Sequence, residues 1–358
     1  MMFSKLQING LKSIRNYIFD LAPLVLLTGL NSSGKSTALQ GVRMLFNAIK
    51  GESIYLDGYG TFKDILFSPT SSMDKGQTVP TGIHIKMHID QETWASIKLT
   101  KEQEPLIESS SMQDAWYFHF LSADRQGPVP FFAKHPIQAE TAICFFPGNK
   151  GEYLYACLQS RGDEKLPSIL LHESHPGYTL RQNVNAWISD IVANANINLE
   201  ETPDSLDVAS ITVDGYRQAN VGFGVSYTLS VIVSLLGAAS LQHNIQTDKN
   251  ILLTIENPEA HLHGLGQTKM GYLLALTAMS GVQLFVETHS EFIIDGVRLA
   301  IKEKLGGMAP EDVLIYFFDR KNGESNIEKI SIDETGKLSS WPSGFFDQGR
   351  KNKAKLLG

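Results

Sequence analysis

Gly29, Gly34, Lys35 and Ser36 stand in the spacing Gly-x-x-x-x-Gly-Lys-Ser. Glycine at both ends lets a backbone bend where a Cβ would clash, so successive amide N–H groups can converge on phosphate oxygens. The lysine after the second glycine adds a point charge that reaches β- and γ-phosphates, and the next hydroxyl is a ligand for Mg²⁺. Asn31, Ser32 and Ser33 inside the loop and Thr37 just after it complete a phosphate cradle. The pattern is a Walker A loop, and ATP with Mg²⁺, held by Ser36, is the expected pair of cofactors.

The flanks agree with that chemistry. Residues 24–27 are an apolar, β-prone run suited to a buried parallel strand. Ala38, Leu39, Val42, Leu45, Phe46 and Ile49 fall at helical spacing. Strand, glycine loop and helix follow in order, so the positive end of the helix faces the bound anion. A chance glycine turn would not bring both flanks with it.

A second set of chemical residues lies far downstream. The apolar run 251–255 ends in Glu256-Asn257-Pro258-Glu259-Ala260-His261-Leu262-His263. An apolar strand ending in an acid is the Walker B arrangement, and Glu256 is the expected second Mg²⁺ ligand. Asn257 is an amide and cannot accept a proton at neutral pH. Glu259 is therefore the best carboxylate to position an attacking water, and slow turnover is expected. The run 283–286 ends in Glu287-Thr288-His289, and the imidazole of His289 can exchange a hydrogen bond with the γ-phosphate or the water. The catalytic set is thus Glu259, Glu256 and His289. His261 and His263 have two readings, a metal pair or a loop that contacts an opposing subunit, and the second is favoured because no cysteine or third histidine accompanies them.

Between these sets, Asn220-Val221-Gly222-Phe223-Gly224-Val225-Ser226 opens an apolar helix. A glycine-rich turn with a serine at a helix N-terminus is a second anion-binding surface. Residues 221–241 carry no charge and are long enough to cross a bilayer. Their serines and glycines, and the lack of flanking basic anchors, argue for a buried helix instead.

Taken in order, these motifs resemble the compact ABC-type P-loop ATPases of the SMC and OLD-like group, of the AAA-15/AAA-21 type, without coiled-coil arms. Residues 8–14 resemble the opening of such heads, 220–226 their signature, 256–263 the Pro-Glu-x-His-Leu-His phrase of the OLD-like branch, and His289 their switch histidine. The resemblance implies that Gly224 and Ser226 contact the nucleotide of a second subunit. It implies a homodimer or higher even oligomer, closed by ATP. Relatives act on nucleic acid, and many serve bacterial anti-phage defence. A separate effector such as a nuclease is expected as partner, because no Asp-x-Asp or His-Asn-His nuclease arrangement is visible. A nucleotide-gated scaffold with negligible turnover is the alternative. No Asn-Lys-x-Asp motif supports a GTPase.

The expected fold is α/β, an ABC-type P-loop ATPase head with an antiparallel β subdomain and a small helical insertion. The expected division is 1–50 and 208–335 for the ATPase core, 51–147 for a β-rich subdomain, 148–207 for the helical insertion and 336–358 for an aromatic and basic tail. Alternation at Ile83, Ile85, Met87 and Ile89 marks the β subdomain, and Leu180, Val184, Trp187, Ile188 and Ile191 mark an amphipathic helix. Asn322-Gly323 marks a hairpin. Asp124-Arg125 reads equally as a structural ion pair or as residues near the nucleotide. Gln77, Gln103 and Gln126 are equal candidates for the glutamine loop of cassette ATPases.

Composition bounds the rest. The 358 residues are 42% hydrophobic and 19% charged, which is ordinary for a globular chain. A net charge of −7 argues against a broadly basic surface, though not against a local groove for nucleic acid. Two cysteines, Cys144 and Cys157, and a first strand containing Lys5 in place of a leader fit a cytoplasmic protein with no membrane partner.

Overall fold

The computed structural model describes residues 1–68, 79–109, 115–134, 146–175, 177–192, 195–200, 202–203, 206–244, 249–342, 344–346 and 348–357. Gln77, Cys144 and parts of the polar segments at 68–78, 101–113 and 196–207 lie outside the described residues. The chain forms two compact units, 1–116 with 310–358, and 117–309.

The first unit opens with β1 (Lys5–Leu11) and β2 (Ile14–Asp20), then β3 (Leu24–Gly29), α1 (Lys35–Ile49) and the single turn α2 (Phe62–Ile65). The antiparallel strands β4 (Gly82–Ile89), β5 (Glu92–Thr100) and β6 (Leu106–Ser109) follow. The first two strands do not pair with the Walker strand. They extend the antiparallel sheet, in the order β2-β1-β4-β5-β6, with Ile8 opposite Ile85 and Ile85 opposite Ile97. Period-two alternation puts those residues on one buried face, and α1 covers it. Phe3, Phe46 and Trp94 fill the contact with edge-on rings.

The second unit starts with β7 (Trp116–Leu121) and the short β8 (Phe132–Ala133). Next come α3 (Leu154–Arg161), α4 (Leu180–Ile191), β9 (Ile197–Glu200), β10 (Val208–Val213) and β11 (Tyr216–Arg217). Its second half is α5 (Phe223–Asn244), β12 (Asn250–Glu256), α6 (Gly264–Met279), β13 (Gln283–Glu287) and α7 (Glu291–Lys302). Strands β12 and β13 are parallel, with Glu256 opposite Glu287, and β7 lies on the other side of β12. The run 251–255 is buried on both faces, which is why it reads as continuous apolar sequence.

Helix α5 is long and apolar enough to span a membrane, but 89% of its apolar window is buried inside the protein. Three of its four serines, Ser230, Ser234 and Ser240, are satisfied within the fold. Ser234 Oγ donates to the Ser230 carbonyl at 2.8 Å, and Ser240 Oγ donates to Glu164 at 2.7 Å. Arg161, 1% exposed, donates from Nη2 to the Gly237 carbonyl and to Glu164. Cys157 is buried. Helices α6 and α7 cross at two glycines: a Cβ on Gly271 would lie 2.9 Å from Gly296 Cα, and one on Gly296 would lie 2.2 Å from the Thr268 carbonyl oxygen. Only glycine permits that approach.

The chain then returns to the first unit with β14 (Val313–Lys321), β15 (Glu324–Ile330) and α8 (Gln348–Leu356). Strand β14 runs parallel to β3 and antiparallel to β15. Asn322 and Gly323 both take positive φ, 52° and 83°, as the two-residue hairpin requires. In the tail, Phe345 is 1% exposed and sits edge-on to Phe317, Trp341 and Phe346. This part of the tail is packed. Phe345→Ala is expected to cost about 3 kcal/mol through the cavity it leaves, read as a lower midpoint in urea unfolding; an unchanged midpoint would show that the aromatic cluster contributes nothing.

Candidate functional site

In the first unit, the loop between β3 and α1 has the backbone that an anion cradle needs. Gly29, Ser32 and Gly34 take φ of 131°, 58° and 109°. Such left-handed turns point consecutive N–H groups toward one side. A Cβ on Gly29 would fall 2.0 Å from the Phe318 carbonyl oxygen, so the close pairing of β3 with β14 enforces glycine there. Lys35 is 3% exposed, and its Nζ donates to the Leu30 carbonyl at 2.7 Å and to that of Gly29 at 3.2 Å. Ser33 is buried and donates to the Leu30 carbonyl at 2.7 Å. Thr37 is buried in the first turn of α1, Ser36 is half-buried, and Asn31 and Ser32 are exposed.

A brace that the sequence does not announce holds this loop. Ser325 on β15 donates from Oγ to the Ser33 carbonyl at 2.6 Å and bonds Ser13 Oγ at 2.8 Å. Its backbone N–H donates to the Ser13 carbonyl at 2.8 Å. A Cβ on Gly34 would lie 2.2 Å from Ser325 Oγ. The hairpin at 322–323 therefore does more than turn the chain, since it sets Ser325 against the loop. The only sequence signal for it is the Asn-Gly pair two residues earlier.

In the second unit, the ends of β12 and β13 carry the carboxylates. Glu256 is half-buried and its Oε2 accepts from the Ala123 N–H at 3.0 Å. Asn257 takes φ of 47°, and its N–H donates to the Glu287 carbonyl at 2.8 Å. That turn folds Glu259 back beneath the end of β13. Glu259 is 9% exposed; Oε1 accepts from the His289 N–H at 2.7 Å and Oε2 from Thr288 Oγ1 at 2.9 Å. Burial pushes its carboxyl above the usual range, and the bonds from His289 and Thr288 and the charge of Arg125 oppose that shift. His289 keeps its ring at the surface, with Nε2 3.8 Å from Glu287 Oε1. So Glu259 and His289 are brought together through the His289 N–H, while Glu256 stands at the same end of the paired strands with its carboxylate on Ala123.

The glycine-serine turn is placed differently from what its sequence suggests. Gly222 and Phe223 are exposed and Gly224 is half-buried, but Ser226 is 1% exposed and its hydroxyl finds no partner. The surface of this turn is backbone and the Phe223 ring. His261, with φ of 65°, packs against Phe223 and edge-on to Tyr227 at 4.8 Å. No group of three or more metal-ligating side chains gathers among the described residues.

Asp124 and Arg125 separate. Asp124 pairs with Lys150 at 2.6 Å on the surface, whereas Arg125 is 3% exposed and donates to the carbonyls of Glu256 and Asn257. Of the glutamines, Gln103 is exposed and Gln126 half-buried beside Arg125.

Residues 152–294 match the model of an AAA ATPase domain, and residues 308–356 match a protein of unknown function, DUF3696. No curated protein matches the sequence. Among solved structures, the chain is similar to the SMC head bound to the C-winged helix domain of ScpA, at 11% identity, covering 93% of this chain and 99% of that one, with a TM-score of 0.56. It is also similar to the Smc head with an extended coiled coil bound to the C-terminal domain of ScpA, from Pyrococcus furiosus. There the identity is 10%, the cover 99% of each chain and the TM-score 0.55.

Lys35→Ala removes the one loop cation and is expected to abolish tight ATP binding, by at least about tenfold in Kd for a single charge-assisted contact. Isothermal calorimetry checks it, and unchanged affinity would refute the assignment of the loop.

Proposed function

We propose that this chain, an ABC-type P-loop ATPase with the fold of SMC heads, binds ATP on the loop at 29–37 and hydrolyses it slowly, with Glu259 as the carboxylate that orients water. The observation that carries the reading is the setting of Glu259, buried, with each oxygen already holding one N–H or O–H donor. Each carboxylate oxygen has a second lone pair, so a water can still be held. A carboxyl raised by burial is also the better proton acceptor. The water oxygen bonds to the γ-phosphorus, the bond from the γ-phosphorus to the bridging oxygen breaks, Glu259 takes the proton, and ADP and phosphate leave.

Ser36 in the first unit and Glu256 in the second each offer a hard oxygen donor of the kind Mg²⁺ takes, and the ion, when bound, would neutralise charge on the phosphates. Asn31, Ser32, Ser33 and Thr37 bind through the loop and the first turn of α1. Glu256 in place of the usual shorter aspartate, and Asn257 in place of the usual hydrolytic glutamate, favour turnover below the roughly 1 to 10³ s⁻¹ of typical enzymes. Those same two residues favour the second reading, a nucleotide-gated scaffold with negligible hydrolysis.

The biological reading is an ATP-closed homodimer in the cytoplasm that gates a separate effector, most simply a nuclease, in nucleic-acid-directed or anti-phage defence. The exposed Phe223 beside the glycine turn supports an interface there, with Gly222 and Gly224 presenting backbone to the partner's nucleotide. Ser226 would act from beneath, by setting the turn. The two SMC heads with this fold were solved with a domain of ScpA bound, a winged-helix domain in one of them, which supports a protein partner for this chain too.

Glu259→Gln is expected to lower steady-state phosphate release about 10²-fold, as loss of a general base does, while ATP still binds. Full activity in that variant, with loss in Asn257→Ala, would show that the two roles are exchanged. Assembly is tested at Gly222, where a Cβ meets nothing within 4 Å and a large side chain fits the chain itself. Light scattering should show a doubling of mass with ATP for the wild type and none for Gly222→Arg. The same mass in all four conditions would contradict an ATP-driven dimer.

A further inference from the structure

Arg125 lies just beyond β7, and among the described residues of the second unit it and Arg161 are the buried cations. Its guanidinium forks across three carbonyls. Nη1 donates to Ser122 at 3.0 Å and to Glu256 at 2.7 Å, and Nη2 donates to Asn257 at 2.5 Å. These last two carbonyls open the turn in which Asn257 takes its positive φ. On another side, Cζ lies 5.3 Å from the centre of the Tyr227 ring, within cation–π range. Tyr227 in turn meets His261, at the far end of the same loop. The backbone closes the circuit, since a Cβ on Gly224 would lie 3.1 Å from the His261 carbonyl oxygen.

Burial lowers the Arg125 guanidinium to about 10, against the opposing effect of Glu259, then Tyr227 and Glu256. A cation taken this far out of water is costly unless it is paired and hydrogen-bonded. Here the acids that offset it are the two carboxylates assigned to hydrolysis. The planar fork is the feature that matters. Lysine offers one point charge and cannot hold two successive carbonyls in one plane.

We infer that Arg125 is the positioning residue of the hydrolytic loop: it fixes the carbonyls of Glu256 and Asn257, and through them the place of Glu259, and it ties that loop to Tyr227 on the glycine-turn helix. The inference rests on the hydrolytic reading of Glu259 given above. It also explains why Asp124, its neighbour in sequence, is free to pair at the surface: only the arginine is required inside.

The test uses the full chain with Arg125→Lys, Arg125→Ala and Tyr227→Leu. Turnover, ATP affinity, and backbone hydrogen exchange of the peptide covering 256–263 are each measured. The expected result for Arg125→Ala is a kcat lower by about 10²-fold, the scale of a small misplacement of a reacting group, with ATP affinity unchanged and faster exchange in 256–263. Added guanidinium ion should restore part of kcat in Arg125→Ala, and Arg125→Lys should restore little. Tyr227→Leu, which keeps every carbonyl contact, should lower kcat less and also speed exchange. If Arg125→Ala does not fold, Tyr227→Leu and Arg125→Lys decide. Unchanged kcat and exchange in folded variants would overturn the inference, as would a loss of kcat that merely parallels loss of melting temperature and is not rescued by guanidinium. If the wild type itself shows no Lys35-dependent turnover, the hydrolytic reading fails, and exchange in 256–263 alone decides whether Arg125 positions the loop.

Discussion

A carboxylate that is 9% exposed imposes the main constraint on the second unit. Glu259 has to be hydrogen-bonded, because an ionised carboxylate without donors would be expelled or protonated there. Its donors, Thr288 and the His289 N–H, are placed by the start of α7. Ser290 caps that helix, accepting from the Ile293 N–H at 3.1 Å and donating to Gln267 at 2.5 Å. Gln267, on α6, donates to the Leu262 carbonyl at 2.7 Å and so returns to the loop that carries Glu259. The crossing of α6 and α7 at Gly271 and Gly296 holds the two ends of this circuit at fixed separation. Residues far apart in sequence therefore serve one buried charge.

The first unit solves a different problem. A loop that points N–H groups outward has carbonyls to satisfy on its other side. Lys35 and Ser33 take the Leu30 carbonyl, and Ser325 takes that of Ser33. The loop is thus pre-shaped by its own protein contacts. Pre-organisation lowers the ordering cost of binding a highly charged ligand.

Much of this was legible in the chain. The Walker loop and its flanks, the paired acids at 256 and 259, the histidine at 289, the alternating strands around 83–89 and the Asn-Gly hairpin all carry local patterns, because each is governed by backbone conformation or by period. The pairing of β1 with β4, which carries β2 into the same sheet, was not legible, since sheet partnership is set by long-range burial and not by the strand's own residues. Ser325 and Ser13 were invisible for the same reason: a hydroxyl brace has no spacing. Arg125 was only half visible. Its neighbour Asp124 suggested an ion pair, and nothing local reveals which of two adjacent charges enters the core. Ser226 shows the limit of a motif, since its glycines fix the turn while the packing of α5 decides that the hydroxyl points inside.

The central claim is that the chain breaks the terminal phosphate bond of ATP, and does so through its own carboxylate. The most direct measurement is a single-turnover experiment, with protein in excess over ATP labelled in the γ-phosphate, following free phosphate with time. The account predicts that nearly all bound ATP is cleaved at a single slow rate, below about 1 s⁻¹, and that chelating Mg²⁺ stops it. ATP that stays bound and intact through many hours would contradict hydrolysis and leave the nucleotide-gated scaffold as the function of this fold.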